Sequence, residues 1–411
     1  MRHFTLTKLI SFAKRHADRS FQKIIFLLMY FGGLVVKKDI ILFESYPELD
    51  GSSWMIYLEL KKREYEKKYR LVWAVDASFS APKDVDCVPF FGELSFKQKI
   101  ARRICELKAK LILDSNRALH KKNPYTKRMY MRHGGPLKKC TAYTRSVGMM
   151  DYISTLSFGI QKIDFAEFKN VCVKKIEDIV PLGFPANDRI FENVDLFQKG
   201  FYPALCPSCS EKRFKKVIGW LPTFRQHRSG TRVDSEIVFP FGVPLIKTKE
   251  DLIRLNQVLS ERNTLLAIQM HHAQASNFAK EKFSNIVLIE QNLKYQMGVS
   301  TANLMHSFDA LITDYSSAYH EYVILNRPIA LSIDDYEQYA TKTGFVFDFF
   351  DWIKGVYLKD LSDLIRFIDD VANGIDSAKK IREEAMHRIH KHIDNKSTQR
   401  VVDFLVKNAK L

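Results

Sequence analysis

Leu311-Ile312-Thr313-Asp314-Tyr315-Ser316-Ser317-Ala318-Tyr319-His320-Glu321-Tyr322-Val323-Ile324-Leu325-Asn326-Arg327-Pro328 is a short apolar run that gives way to hydroxyl residues and then to a helical pattern. It reads as a buried strand entering a helix, with Ser316 and Ser317 where N-cap residues belong. Free N–H groups and the positive dipole end of such a helix favour a bound anion. Three other junctions share the design. Arg132-His133-Gly134-Gly135-Pro136 follows the strand pattern at 127–131, Pro222-Thr223-Phe224-Arg225 follows 217–221, and His271-His272 follows 265–270. Each places a His, Arg, Thr or Ser just past a strand's C-terminal end, the edge at which open α/β sheets bind ligands. These residue types are acid/base groups and anion ligands, so the set points to chemistry on a phosphate.

Outward from these junctions the chain alternates strands and helices. In the first half, strands are expected at 39–44, 70–75, 109–114 and 127–131, with helices at 53–69 and 96–108. In the second, strands are expected at 217–221, 265–270, 285–289, 309–313 and 328–333, with helices at 249–262 and 318–325. This is a parallel βαβ rhythm. The stretch 186–214, with Tyr202-Pro203, Cys206-Pro207-Ser208 and a charged patch, reads as a junction. The expected division is a basic and apolar segment at 1–38, an N-terminal domain at 39–200 and a C-terminal domain at 201–411. At 411 residues and 46% hydrophobic content, the chain can bury two cores.

The net charge of +17 is unevenly placed. Residues 1–139 hold 29 Lys and Arg against 14 Asp and Glu, whereas the remaining 272 hold 35 against 33. Nucleic acid or an anionic membrane could partner that basic half. The N-terminus favours the membrane. Residues 2–23 interleave basic and apolar side chains, and 24–36 are apolar but too short to span a bilayer. An interfacial anchor or a helix packed on the first sheet both fit. Nucleic acid is not expected, since the His, Arg and Ser set at the strand ends points to a phosphate site instead. Six scattered cysteines, with Cys206 and Cys209 as the close pair, lack a disulfide-scaffold spacing and read as free thiols.

These motifs together resemble the CDP-glycerol glycerophosphotransferase family, the teichoic-acid and capsule polyol-phosphate transferases of bacteria. The resemblance runs from Ile41-Leu42-Phe43-Glu44-Ser45 through Leu71-Val72-Trp73, His133-Gly134-Gly135-Pro136-Leu137-Lys138-Lys139 and Gly183-Phe184-Pro185-Ala186-Asn187-Asp188. It continues through Pro222-Thr223-Phe224-Arg225 and His271 to Asp309–Pro328. Arg132, Gly135, Ala186 and His272 depart from the family pattern, and these departures bear on which polyol or acceptor is used.

The resemblance implies an α/β chain with two Rossmann-like domains facing a cleft, GT-B-like, the C-terminal one holding the donor and the basic one the acceptor. It implies transfer of a polyol phosphate, glycerol phosphate first, from a CDP-linked donor to a hydroxyl of a membrane-bound saccharide or polymer, releasing CMP at the cytoplasmic face of the membrane. His133 is then the candidate base and His271 the second histidine, helping CMP leave, with His272 competing for that place. Thr223, Arg225, Ser316 and Ser317 are candidate donor ligands. Asp314 either positions donor hydroxyls or caps the Tyr315-Ser316 turn. Lys138 and Lys139 either steer anions or are surface charge.

Glu321 reads as a support residue and Asp309 as a solvent-facing strand start. Asp334-Asp335 reads as a loop. No protein-bound metal or cofactor is expected, although a magnesium ion could ride on the donor diphosphate. A glycosyltransferase using a nucleotide sugar is the alternative enzyme reading.

Overall fold

The computed structural model describes residues 36–117, 119, 125–132, 134–139, 148–169, 172–206, 214–223, 225, 239–270 and 283–411. His133, His271, His272 and most of the N-terminal segment 1–38 therefore lie outside the described residues.

Two all-parallel sheets organise the chain. The first has the order β3-β2-β1-β4-β5-β6-β7. Its strands are β1 (Ile40–Phe43), β2 (Arg70–Asp76), β3 (Cys87–Phe91), β4 (Ala109–Asp114), β5 (Lys127–Tyr130), β6 (Tyr152–Ser154) and β7 (Ile179–Val180). The second has the order β10-β9-β8-β11-β12-β13. It comprises β8 (Lys216–Trp220), β9 (Thr264–Ile268), β10 (Ile286–Leu288), β11 (Ala310–Thr313), β12 (Ile329–Ser332) and β13 (Val356–Leu358). The α/β class expected from the sequence is the class adopted.

The central strands are apolar throughout because both their faces are covered. In β1, Ile41 and Phe43 join Leu71, Trp73, Leu111 and Leu113 in one core, while Ile40 and Leu42 join Val72, Ala74 and Ile112 in another on the opposite face. This is the two-residue alternation of a strand. Each such side chain contributes about 1.5–3 kcal/mol by leaving water.

Several boundaries differ from expectation for local reasons. The helix expected at 53–69 is Gly51–Lys62, because Glu64 adopts a left-handed φ of 60° and a separate 3-10 turn follows at Tyr65–Lys67. The helix expected at 318–325 is α-helical over Ala318–Tyr322 and 3-10 over Val323–Leu325, ending at Asn326 with φ 48°. Strands β3, β6, β7 and β13 were not expected. Three of them have only two or three residues, too few for a periodicity, and β3 contains Pro89, which in sequence argues against a strand except on a sheet edge, where β3 lies.

The last helix, Ser397–Asn408, returns to the first sheet. Val401, Val402 and Leu405 pack in the core of Ile41, Phe43 and Trp73, and Asp188 caps the helix by accepting from Ser397 N and Thr398 N at 2.9 and 2.7 Å. The two sheets are thus not covered by two consecutive halves of the chain. The stretch read as a junction is packed as well, since Phe184, Ile190, Leu196, Phe201 and Tyr202 share a core with Leu311 and Tyr315 of the second sheet.

Candidate functional site

At the C-terminal edge of each sheet, a carboxylate at the end of one central strand clamps the end of its neighbour. In the first sheet, Glu44 follows β1 and is fully buried. It accepts from the backbone N–H groups of Ser115, Asn116 and Arg117 at 3.1, 3.1 and 3.0 Å, and from Arg117 Nε at 3.0 Å. Burial raises its pKa, with Asp114 adding to the shift and these donors opposing it. Arg117 also reaches Glu48 at 2.6 Å.

The second sheet repeats the device. Asp314, after β11, accepts from Thr223 N at 2.9 and 3.0 Å through its two oxygens, so it joins β11 to β8 rather than capping the Tyr315-Ser316 turn. Arg225 lies 3.0 Å from Asp314 and grips Asp335 bidentately at 2.6 and 3.1 Å. Its guanidinium also donates to the Thr223 carbonyl at 2.7 Å and sits between the rings of Tyr315 and Tyr339, each centroid 5.0 Å away. Arg225 is fully buried. Expected to hold a donor phosphate, it instead neutralises two buried carboxylates. Asp335, expected in a loop, is its partner because the chain turns into the helix Tyr336–Lys342 at that point. Asp309 is partly exposed, as expected for a strand start, and also binds Val217 N at 2.8 Å and Lys216 Nζ at 3.1 Å.

Ser317 occupies the N-cap position of Ala318–Tyr322 but has helical φ and ψ and makes no side-chain cap bond. Ser316 Oγ instead accepts from Ala318 N at 3.3 Å. The Ser317 side chain is turned toward Gly134. A Cβ at Gly134 would sit 2.3 Å from Ser317 Oγ and 3.7 Å from Glu321 Oε1, and a Cβ at Gly135 would sit 2.7 Å from the His320 ring. Glycines at 134 and 135 therefore let the loop after β5 touch the helix start after β11. Arg132 and Gly134, which flank His133, have φ of 50° and 152°. Positive φ at a non-glycine residue is the kind of strain that gathers at functional sites.

Arg132 is held there by an ion pair with Asp164, which also accepts from Thr155 Oγ1 at 2.5 Å. Burial raises the Asp164 carboxyl to about 6, while Arg132 and Thr155 oppose the shift. His320 is fully buried, with neither ring nitrogen hydrogen-bonded among the described residues. Burial chiefly, with help from His390 and Arg132, lowers it to about 3. The neighbouring His390 hydrogen-bonds the His320 carbonyl at 2.6 Å.

Beside this contact lies a cavity of about 170 Å³, lined by residues including Ser45, Asp50, Asn116, Arg132, Asn187 and Glu321. Glu321, read from sequence as a support residue, is on its wall, and burial alone raises its carboxyl to about 7. Lys138 and Lys139 lie away from this wall. Lys138 bridges to Phe345 with its ammonium 5.9 Å from the Tyr339 ring, and Lys139 is exposed. Sequence reasoning missed Asn187 as a site residue, although it lies in the quoted Gly183–Asp188 motif, and it missed the approach of segments almost two hundred residues apart.

The sequence profile of the CDP-Glycerol:Poly(glycerophosphate) glycerophosphotransferase family matches residues 26–407. The chain belongs to this family. Its relatives include a teichoic acid poly(glycerol phosphate) polymerase of Bacillus subtilis, 24% identical over 367 residues, covering 84% of this chain and 46% of the relative. A teichoic acid glycerol-phosphate transferase of Staphylococcus aureus is 23% identical over 394 residues, covering 90% of this chain and 93% of that one. In fold, the chain is similar to a variant of the wall teichoic acid polymerase TagF soaked with CDPG, with a TM-score of 0.68, 20% identity and 99% of each chain covered. The chain spans about half the length of the first curated relatives it matches.

Proposed function

We propose that this glycerophosphotransferase-family chain transfers a polyol phosphate, glycerol phosphate first, from a CDP-linked donor to a hydroxyl of a membrane-bound saccharide or teichoic-acid-like polymer, releasing CMP. The observation that carries the reading is the contact of the Gly134-Gly135 loop with Ser317, His320 and Glu321 beside a polar cavity. Two motifs remote in sequence are thereby brought to one place at the C-terminal strand ends.

In this reading the sheets belong to two Rossmann-like domains of a GT-B-like pair, 39–200 for the acceptor and 201–411 for the donor, with the final helix bracing the first. The acceptor oxygen bonds to the phosphorus that carries the polyol, the bond from that phosphorus to the bridging oxygen breaks, and CMP leaves with that oxygen. His133 takes the hydroxyl proton, a role suited to an imidazole near neutral pH. His271, with His272 as its competitor, faces the diphosphate. Thr223, Ser316 and Ser317 supply hydroxyl donors. The buried Thr223 Oγ1 has no partner among the described residues, which supports a ligand role. Any magnesium ion arrives on the donor.

The test is to incubate the protein with CDP-glycerol, CDP-ribitol and nucleotide sugars, with a lipid-linked acceptor, while following CMP release and product mass. CMP released from a CDP-polyol together with a mass gain of one polyol phosphate is expected. Transfer of a sugar instead would reject the reading. The basic half and residues 1–36 supply the membrane contact, so the full chain is expected to sediment with acidic liposomes at low salt. Deletion of 1–36 should abolish most of that binding.

A further inference from the structure

The helix Phe96–Lys108 carries apolar side chains on two faces. Ala101 and Cys105 face the first sheet and pack with Val88 and Phe90. On the opposite side, Phe96, Ile100 and Ile104 are 77%, 45% and 47% exposed. Their four-residue spacing sets them in one stripe within about 80° of the helix circumference, with the half-buried Leu107 along it. Single exposed apolar residues are ordinary on a protein surface, but a contiguous row is not. Among the described residues, no other helix has more than one large apolar side chain so exposed.

Basic side chains border the stripe on both sides. Lys99 and Arg103 lie along one side, and Lys97 and Lys108 along the other. The helix holds five Lys and Arg against one acid, Glu106, which is buried and held by Arg102 and Arg103 at 3.1 and 2.6 Å. Lys97 and Lys99 are exposed and make no ion pair among the described residues. This pattern restricts the occupant. A second copy docked stripe to stripe would set these cations against their own kind. A nucleic acid would answer the charge and leave the apolar row in water. With 13 residues the helix is too short to cross a bilayer. An apolar stripe between two basic borders fits a helix lying in the plane of an acidic bilayer, its apolar side chains among the acyl chains and its lysines reaching the headgroups.

We propose that Phe96–Lys108 is an interfacial helix that seats the first sheet on an anionic membrane. The proposal rests on the reading of a membrane-bound acceptor, and it names the surface of the folded domain that meets the bilayer, separate from residues 1–36. The strands of the first sheet are parallel and the helix links β3 to β4, so it runs back from their C-terminal edge. Phe96, the most exposed of the three, therefore sits at the same edge as Ser115, Asn116 and the cavity. Docked through this helix, the sheet lies with its strands along the bilayer, and that edge opens at the surface where a lipid-linked chain can enter.

The experiment uses the full chain and vesicles of phosphatidylglycerol and phosphatidylcholine. Phe96→Gln, Ile100→Gln and Ile104→Gln combined should leave the melting temperature near that of the wild type, since all three side chains face water, and weaken co-sedimentation about tenfold or more. Lys97→Gln with Lys99→Gln should weaken it about fivefold per charge at low salt and little at high salt. In Ile100→Trp, the added indole should be quenched by brominated acyl chains beyond any quenching in the wild type, which reads insertion even where the triple variant fails to fold. Turnover of the triple variant should match the wild type with a soluble acceptor and fall with an acceptor embedded in vesicles. Wild-type co-sedimentation by the triple variant, or no added quenching in Ile100→Trp, overturns the proposal. A wild-type dimer that the triple variant loses in sedimentation velocity also overturns it, assigning the stripe to a second copy. If insertion is seen but no CMP is released from CDP-glycerol with either acceptor, the transfer reading fails and the docking face stands.

Discussion

The two clamps at the strand ends use the same chemistry with different outcomes. In the second sheet, Arg225, Asp314 and Asp335 satisfy one another out of contact with solvent, and three rings close over the guanidinium. In the first, Glu44 is satisfied by three backbone N–H groups, Arg117 stays partly exposed, and the next side chains, Ser115 and Asn116, form cavity wall. A closed network of charges serves to hold strands together. An edge whose next residues stay on a cavity wall is one that a ligand can reach. The residue type alone does not separate the two, since Arg225, read from sequence as an anion ligand, and Arg117 both pair with buried carboxylates.

The comparison breaks most sharply at His133. Its replacement by Ala should lower turnover about 100- to 10,000-fold while calorimetric donor affinity and melting temperature hold. Full turnover in that variant would detach the loop from the chemistry. Next comes Arg225→Ala, which strands two buried carboxylates and should cost about 3–5 kcal/mol of stability in denaturant unfolding. Arg117→Ala should cost only about 1–2 kcal/mol, because Glu44 keeps its backbone donors. Equal losses would mean that the two clamps are the same device after all.

Gly134→Ala tests whether the contact between the two motifs matters. Its Cβ meets Ser317 at 2.3 Å with φ at 152°, so strain of about 1–3 kcal/mol should push the loop off the helix start. Turnover should then fall more than melting temperature does, and equal falls would mean that the contact is only structural.

The smallest effect concerns pH. Glu321 has a carboxyl at about 7 in the folded chain, above the value near 4.3 expected when unfolded. The folded state then binds the extra proton between these values, so this group's contribution to stability is full below about pH 4 and is lost as pH rises through 7. Melting temperature from pH 5 to pH 8 should therefore fall more steeply in the wild type than in Glu321→Gln. Identical slopes would mean that the carboxyl is well solvated.

Much of the fold was legible because fully covered parallel strands must be continuously apolar. Ile40–Phe43, Arg70–Asp76 and Ala310–Thr313 declare themselves in any reading of hydropathy. The strand-end motifs were legible for a related reason, since glycines, hydroxyls and histidines interrupt apolar runs at the ligand-binding edge. Short edge strands such as Val356–Leu358 carry too few residues for a periodicity. The final helix shows its amphipathic face but not the sheet it covers.

The sequence by itself determined the α/β class, the alternation of elements, the charge asymmetry and the family-like motifs, because each is a local pattern. Only the tertiary structure decided that Arg225 answers Asp314 and Asp335, that Ser397–Asn408 braces the first sheet, and that Gly134 touches Ser317. It alone brought Glu321 and Asn187 to the wall of one cavity. Whether a polar side chain is satisfied depends on what the chain brings to it from a distance, and desolvation and pairing are properties of that assembled neighbourhood.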